Sequence, residues 1–173
     1  RYGGVNEAMK QSFRELAFAL ILAVILIYMI LAAQFESIRH PLLIILSVPM
    51  ALIGAVWALL ITGTSLNILS FIGMVALAGI AVNDAIIKVS FIQQRRQEGL
   101  DLKSALIDAG RMRVRPIIMT SATTIFGLLP LALSVGPGSL MAKPLAIAII
   151  GGLLSSTILT LLVIPILYYI MEK

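Results

Sequence analysis

The chain has 173 residues, of which 60% are hydrophobic and only 12% charged, and its mean hydropathy is +1.07. Soluble domains carry roughly 45–50% apolar and about 25% charged residues, so this composition excludes an ordinary soluble domain. The lack of cysteine excludes a disulfide framework and a thiolate metal site. The net charge of +5 is concentrated between apolar runs, which argues against nucleic-acid binding and for a membrane protein.

Five apolar runs are long enough to cross a bilayer, which takes about 20 apolar residues in a helix. They predict an all-α membrane protein with five transmembrane helices, over residues 16–35, 41–62, 68–92, 116–135 and 145–171. Pro41 suits the first turn of the second span, and Pro49 predicts a kink within it. Tyr168 and Tyr169 are typical of an interfacial anchor near the end of the fifth span.

Two segments outside the spans are polar. Residues 1–15 show no cleavable signal peptide, and we expect them to end an external segment of a longer protein. Residues 93–115 carry six basic and three acidic side chains, with leucine and alanine at helical spacing, which predicts one short amphipathic helix on the membrane surface. Loops on that side hold eight Lys and Arg against four on the other, so the positive-inside rule places this helix and the C-terminus in the cytoplasm.

The third span contains the ionisable residues that most need an explanation. Asn83 and Asp84 stand within an apolar run, where a charge at the bilayer centre costs about 2.5–3.5 kcal/mol even on the most lenient scale. Lys88 follows Asp84 by one helical turn, in the order that favours an ion pair. Either the two residues only neutralise each other, or Asp84 faces the bundle interior as part of a polar pathway.

Small residues predict close contacts between helices. Gly79 lies on one side of the third span with Ala76 and Asn83, and Gly151 and Gly152 begin two small-xxx-small pairs in the fifth span. With Lys88, these three glycines are the candidates for helix pairing.

A polar face continues into the fourth span. Arg113, Pro116, Thr120, Thr124 and Gly127 recur at spacings of three and four residues and therefore share one side of a helix. Hydroxyls on an inward face can hold water or pass protons. The alternative is that each threonine bonds back to a carbonyl of its own helix.

Several other kinds of chemistry lack the residues they need. The Lys103–Ser104 pair has no paired glycines of a phosphate loop, so no nucleotide site is indicated. The single histidine, His40, lies in an interfacial turn, which excludes a serine–histidine protease or a histidine-rich metal site within this chain. We expect no enzyme activity, no metal and no cofactor, and energy for transport would come from an ion gradient.

Seven stretches, taken together, resemble the C-terminal membrane half of a resistance-nodulation-division (RND) efflux permease. They keep the order and spacing of that family over nearly the whole chain: 31–37 (LAAQFES), 40–43 (HPLL), 48–54 (VPMALIG), 79–86 (GIAVNDAI), 111–121 (RMRVRPIIMTS), 127–131 (GLLPL) and 144–152 (PLAIAIIGG). By this resemblance the five spans are helices eight to twelve of twelve, and residues 1–15 leave the second periplasmic domain.

The resemblance implies a proton-driven antiporter of the bacterial inner membrane that exports amphiphilic small molecules, of the multidrug type. Its implied partners are membrane lipid, the N-terminal half of the same permease, two further copies in a homotrimer, a periplasmic adaptor protein and an outer-membrane channel. No nucleic-acid partner is implied.

The resemblance also implies a proton relay. In the drug pumps of this family, aspartates of the fourth helix act with a lysine of the tenth, an arginine at the head of the eleventh and a threonine further along it. The arginine corresponds to Arg113 and the threonine to Thr120, whereas Asn83 occupies the lysine position and Asp84 follows it. Because asparagine carries no charge, we expect the relay to be connected differently here, with Asn83, Asp84, Arg113 and Thr120 as its candidates.

Three functions stay open at this point. The first is a proton/substrate antiporter for amphiphiles, which the QFES and RMRVRP stretches favour. The second is a relative that moves lipid or protein, such as a hopanoid exporter or a Sec-type factor, and the third is a non-transporting membrane interaction module. The sequence favours these over a heavy-metal exporter, because no methionine pairs are arranged as soft-metal ligands in the spans.

Overall fold

The computed structural model describes residues 2–172, with side chains from residue 7 onward. Over that range the chain is helical and contains no strand. Its helices are α1 (Tyr2–Phe35), α2 (Arg39–Ile45), α3 (Ser47–Ile61), α4 (Ile68–Gln97), α5 (Leu102–Ala132) and α6 (Ser139–Glu172). With α2 and α3 counted as one span, five helices are long and apolar enough to cross a membrane. The prediction of an all-α protein with five spans is confirmed.

Helix α6 is the centre of the bundle, because α3, α4 and α5 all pack against it. Helix α1 stands at the edge, where it packs on α2 and α4. Two adjoining apolar clusters form the core: one lies between α3, α4 and α6, and the other joins α2 and α4 to the ends of α5 and α6.

The second span is broken rather than smoothly kinked. Helix α2 ends at Ile45 and α3 begins at Ser47, so the interruption lies just before Pro49. Pro49 thereby falls in the first turn of α3. N–H groups in the first turn have no carbonyl partner within the helix, so the missing N–H of proline costs no helix hydrogen bond there. The Ser47 hydroxyl donates to the Ile44 carbonyl at 2.7 Å and satisfies one of the carbonyls at the break.

The separate amphipathic helix predicted over residues 93–115 is not formed. Residues 93–97 complete α4, and α5 begins at Leu102 and continues through Pro116. A proline has a helical φ, so a helix can pass through it at the cost of one hydrogen bond and a bend. Pro116 therefore marks the change from a polar to an apolar stretch of one helix, and not the start of that helix.

The turn between α4 and α5 is closed by backbone and side-chain contacts. Gly99 has a φ of +89°, and the bonds from Gly99 N–H to the Arg96 carbonyl and from Leu100 N–H to the Arg95 carbonyl form a Schellman motif. The Arg95 guanidinium lies 2.7 Å from the Glu98 carboxylate and 2.9 Å from that of Asp108. Its hydrogen bond lowers the pKa of the Glu98 carboxyl.

The ends of α2, α4 and α6 meet on the same side as this turn, which we call the basic end of the bundle. Arg96 pairs with Glu172 at 2.6 Å, and His40 lies 3.6 Å from the same carboxylate. The His40 ring stacks on Tyr168 with a centroid distance of 5.4 Å. These contacts fasten the three helix ends together.

Candidate functional site

Asp84 lies in the middle of the bundle and faces a cavity between α4, α5 and α6. Only 7% of the residue is exposed, and among residues 7–172 no side chain or backbone group donates a hydrogen bond to it. The cavity measures about 160 Å³, which is room for several waters at about 30 Å³ each. The Asp84 carboxyl therefore borders a space large enough for water.

The same cavity brings together all four residues proposed for the relay. Asn83, Asp84, Arg113 and Thr120 line it, and the other lining residues are Ile80, Ile87, Pro116, Ile117, Ser121, Thr124 and Leu153. The helical spacing in α4 and α5 accounts for this, because residues three and four apart present their side chains to the same neighbouring helix.

Lys88 is buried one turn from Asp84 but does not pair with it. The residue is 5% exposed, and its ammonium donates to the Thr160 hydroxyl at 2.9 Å. The ion pairs found within residues 7–172 do not include Asp84 with Lys88. Lys88 therefore ties α4 to α6, and simple neutralisation of Asp84 is not what the structure shows.

Arg113 stands between two cavities. It lines the Asp84 cavity, and it also lines a second cavity of about 20 Å³ beside Lys88. Its guanidinium carbon lies 4.6 Å above the Phe91 ring, at a cation–π distance. Its Nε is buried without a hydrogen-bond partner in the part of the chain that the structure describes, so it has a donor free to act in the cavity.

The hydroxyls of α5 divide into two groups. Thr120, Thr123 and Thr124 bond back to carbonyls of their own helix, at 2.8–2.9 Å. Thr120 thus lines the cavity with its proton already engaged, and it offers the site an acceptor. Ser121 instead contacts Thr157 of α6, with 2.8 Å between the hydroxyl oxygens.

Sequence reasoning missed the contributions of Phe91, Thr157 and Thr160. The hydroxyls of α6 carry a signal that could have found them, because Ser156, Thr157 and Thr160 share one side of an otherwise apolar span. Phe91 offers no such signal, since an aromatic residue in a span is ordinary.

The glycines proposed for helix pairing behave differently from one another. A Cβ on Gly151 would meet the side chain of Ala58, and one on Gly152 would meet Leu77, so both lie at very close helix contacts. A Cβ on Gly79 would have no described atom within 4 Å. No described residue therefore packs closely on Gly79, and its role in helix pairing stays a prediction.

No metal centre is visible in residues 2–172, where no group of three histidine, aspartate or glutamate side chains comes together. The chemistry of the site is that of one buried acid, one buried and one half-buried cation, and several hydroxyls. Buried ionisable groups that line a cavity between membrane spans are typical of ion-coupled transporters.

The comparison with known proteins gives the family. The sequence model of the AcrB/AcrD/AcrF family matches residues 1–172, and the chain belongs to this family of RND transporters. It is thus part of a transporter and not of an enzyme, as predicted.

Curated sequences and solved structures include proteins similar to this chain. The chain is 40% identical over 172 residues to the swarming motility protein SwrC of Bacillus subtilis, and 37% identical to the cobalt-zinc-cadmium resistance protein CzcA of Cupriavidus metallidurans. Each match covers 99% of this chain and 16% of the relative. A crystal structure of a heavy metal efflux pump superposes with a TM-score of 0.86 at 37% identity, over 96% of this chain and 16% of that one.

These relatives change one expectation. The RND family is confirmed, but the multidrug type is not supported, and the preference against a heavy-metal exporter disagrees with two of the three relatives described above. The signal used for that preference was the lack of methionine ligands in the spans. That signal says nothing of ligands in the rest of the transporter, because this chain spans only 16% of the length of these relatives.

The fragment should need the rest of its transporter for stability. In the most apolar window of α1 only 6% of the residues are buried, and in that of α5 only 11%. We expect residues 1–173 expressed alone to aggregate in detergent, whereas co-expression with the remainder of the transporter restores a monodisperse complex. Size-exclusion chromatography measures the difference, and a monodisperse, thermally cooperative fragment would contradict it.

Proposed function

We propose that this chain forms part of the proton pathway of an RND efflux transporter, and that Asp84 takes up and releases the proton. The observation that carries this proposal is the cavity of about 160 Å³, where Asp84 meets Arg113 and Thr120. The chain spans 16% of the length of its curated relatives, so the activity belongs to the whole transporter.

The charges around Asp84 explain how protonation can move helices. An ionised Asp84 attracts the Arg113 guanidinium of α5, which lines the same cavity. A protonated Asp84 no longer does so, and the two cations, the half-buried Arg113 and the buried Lys88, are left to repel each other across the second cavity. Binding of one proton therefore alters the preferred spacing of α4 and α5. Through such a change in helix packing, protonation can shift the conformational equilibrium of the rest of the transporter.

The roles of the other candidates follow from their positions. Thr120 offers the cavity an acceptor, and Asn83 supplies an uncharged amide at its rim. We place the basic end and the C-terminus in the cytoplasm of a bacterial inner membrane, on the ratio of loop charges. We further propose the family's assembly: a homotrimer with a periplasmic adaptor and an outer-membrane channel.

For the substrate we propose divalent metal cations, and amphiphilic small molecules are the second candidate. The names of two relatives, a cobalt-zinc-cadmium resistance protein and a heavy metal efflux pump, favour the cations. The QFES and RMRVRP stretches favour the amphiphiles. We assign substrate selection to parts of the transporter outside this chain.

The substrate proposal is tested in cells that express the full-length transporter. We expect them to accumulate less Zn²⁺ and Cd²⁺ than cells with an empty vector, measured by mass spectrometry, and a protonophore to remove the difference. Ethidium accumulation is followed in parallel. Protonophore-sensitive exclusion of ethidium with unchanged metal content would overturn the cation proposal and support the amphiphile one.

A further inference from the structure

Asp84 and Lys88 form an unusual arrangement of buried charges. They stand one turn apart on α4, at 7% and 5% exposure, yet the Lys88 ammonium lies on the Thr160 hydroxyl of α6. Opposite charges buried this close ordinarily pair, because an uncompensated buried charge is costly. The bond from Lys88 to the neutral Thr160 hydroxyl, in place of an ion pair with Asp84, therefore needs an explanation.

Lys88 is able to reach both acceptors. Side chains four residues apart on a helix are neighbours, with Cβ atoms about 5–6 Å apart. The lysine stem is long and flexible, and its ammonium has three donors. A change of rotamer at Lys88 is therefore enough to transfer the ammonium from α6 to the carboxyl of Asp84.

The Thr160 hydroxyl is positioned to accept a hydrogen bond from Lys88. It is fully buried, and its hydroxyl donates to the Ser156 carbonyl at 2.6 Å. Because its proton is used there, its oxygen can only accept from Lys88. The ammonium already makes a charge-assisted bond to Thr160. An ionised Asp84 would add the attraction of a full opposite charge, which is strong in a low-dielectric interior, so it would outcompete Thr160. A protonated Asp84 carries no charge and would not displace Thr160 as the acceptor of Lys88.

The other charges nearby are few. Arg113 of α5 lines the small cavity beside Lys88. No charged side chain occurs in α3, in residues 16–33 of α1 or in residues 145–167 of α6. In α2 the ionisable residues are Arg39 and His40, which lie in its first turn. Asp84 is thus the one acid available to Lys88 among the described residues that line either cavity.

We propose that Lys88 is a two-position switch whose ammonium rests on Thr160 when Asp84 is protonated and moves to Asp84 when Asp84 is ionised. The protonation state of Asp84 on α4 thereby determines whether Lys88 bonds to α6, the helix that contacts α3, α4 and α5. Thr160 is a positioning residue in this scheme. The inference rests on the proposed role of Asp84 as the proton carrier.

Electron cryo-microscopy of the full-length transporter in lipid nanodiscs tests the switch directly. At acidic pH we expect Lys88 on Thr160, and at alkaline pH on Asp84. The Asp84→Asn variant carries a permanently neutral side chain and should keep Lys88 on Thr160 at both pH values. A wild-type Lys88 that stays on Thr160 throughout the pH range would overturn the proposal.

Variants of Thr160 test the second position. Thr160→Val keeps the shape and removes the acceptor, so Lys88 should lie on Asp84 at both pH values and proton-driven Zn²⁺ or ethidium export should fall about tenfold. Thr160→Ser should restore both the alternation and the export. The control is Thr62→Val, which also removes a hydroxyl bonded to its own helix but lies far from Lys88. Wild-type export by Thr160→Val would overturn the proposal.

The failure of this inference is distinguishable from failure of the proposed function. If Asp84→Asn exports normally, Asp84 is not the proton carrier, and the switch as stated is overturned with it. If Asp84→Asn abolishes export while Lys88 keeps one position, only the switch is overturned.

Discussion

Replacing Asp84 by asparagine in the full-length transporter is expected to abolish protonophore-sensitive export. Asparagine keeps the size of the side chain and its place beside the cavity but cannot bind or release a proton. Groups that transfer protons contribute about 10²–10⁴-fold to the rates they assist, so the loss of export should be at least about 10²-fold. The measurement is the initial rate of Zn²⁺ or ethidium export in proteoliposomes with an imposed pH gradient.

The matched control for this substitution is Asp101→Asn. Asp101 is exposed in the turn before α5, and its side chain makes no capping hydrogen bond. Export by this variant should equal that of the wild type. If Asp84→Asn also exports at the wild-type rate, with equal amounts of protein in the membrane, then the proton pathway does not include Asp84.

Adding a single methyl group at Gly152 is expected to destabilise the bundle. The new Cβ would meet the Leu77 side chain and lie 2.8 Å from the Ala51 carbonyl oxygen, so Leu77 must repack and α6 must move away from the α3 backbone. Overpacking of this kind costs about 1–3 kcal/mol, against a gain of up to about 1 kcal/mol from the higher helix propensity of alanine. The melting temperature of the purified full-length transporter should therefore fall for Gly152→Ala.

The control for Gly152→Ala is Gly127→Ala in α5. A Cβ at Gly127 has no described atom within 4 Å, so helix propensity should act alone and leave the melting temperature unchanged or higher. The two variants differ only in position, and their shifts should have opposite signs or clearly different sizes. Equal shifts in melting temperature would show that the close contact at Gly152 does not determine the stability of the bundle.

The sequence was sufficient for the number of spans and for four of the eleven residues that line the Asp84 cavity. Helical periodicity determines which side chains share a face, and hydropathy determines which segments are long enough to cross a bilayer. Both are local properties, so Asn83 with Asp84 on one helix and Arg113 with Thr120 on another could be read in advance. Their meeting in one cavity depended on the resemblance, which supplied the order of helices.

Other features could not be derived from local patterns. Whether Lys88 donates to Asp84 or to Thr160, 72 residues later, depends on how α4 and α6 are packed. The empty surroundings of Gly79 have the same origin, since a small-residue stripe shows that a close approach is possible but not which helix makes it. The continuation of α5 through Pro116 is not a local signal either, because a proline is typical of the first turn of a helix but is also tolerated within one at the cost of a bend.

The central position of α6 has a consequence for biosynthesis. Ser155 donates to the Met50 carbonyl of α3, Thr160 accepts from Lys88 of α4, and Thr157 contacts Ser121 of α5. A ribosome makes α6 after all three of these helices, so each of them enters the membrane before its polar partner exists. Until α6 arrives, the Lys88 ammonium lacks its Thr160 acceptor and has only Asp84 of its own helix within reach, so we expect α4 to remain in contact with the insertion machinery until α6 is made.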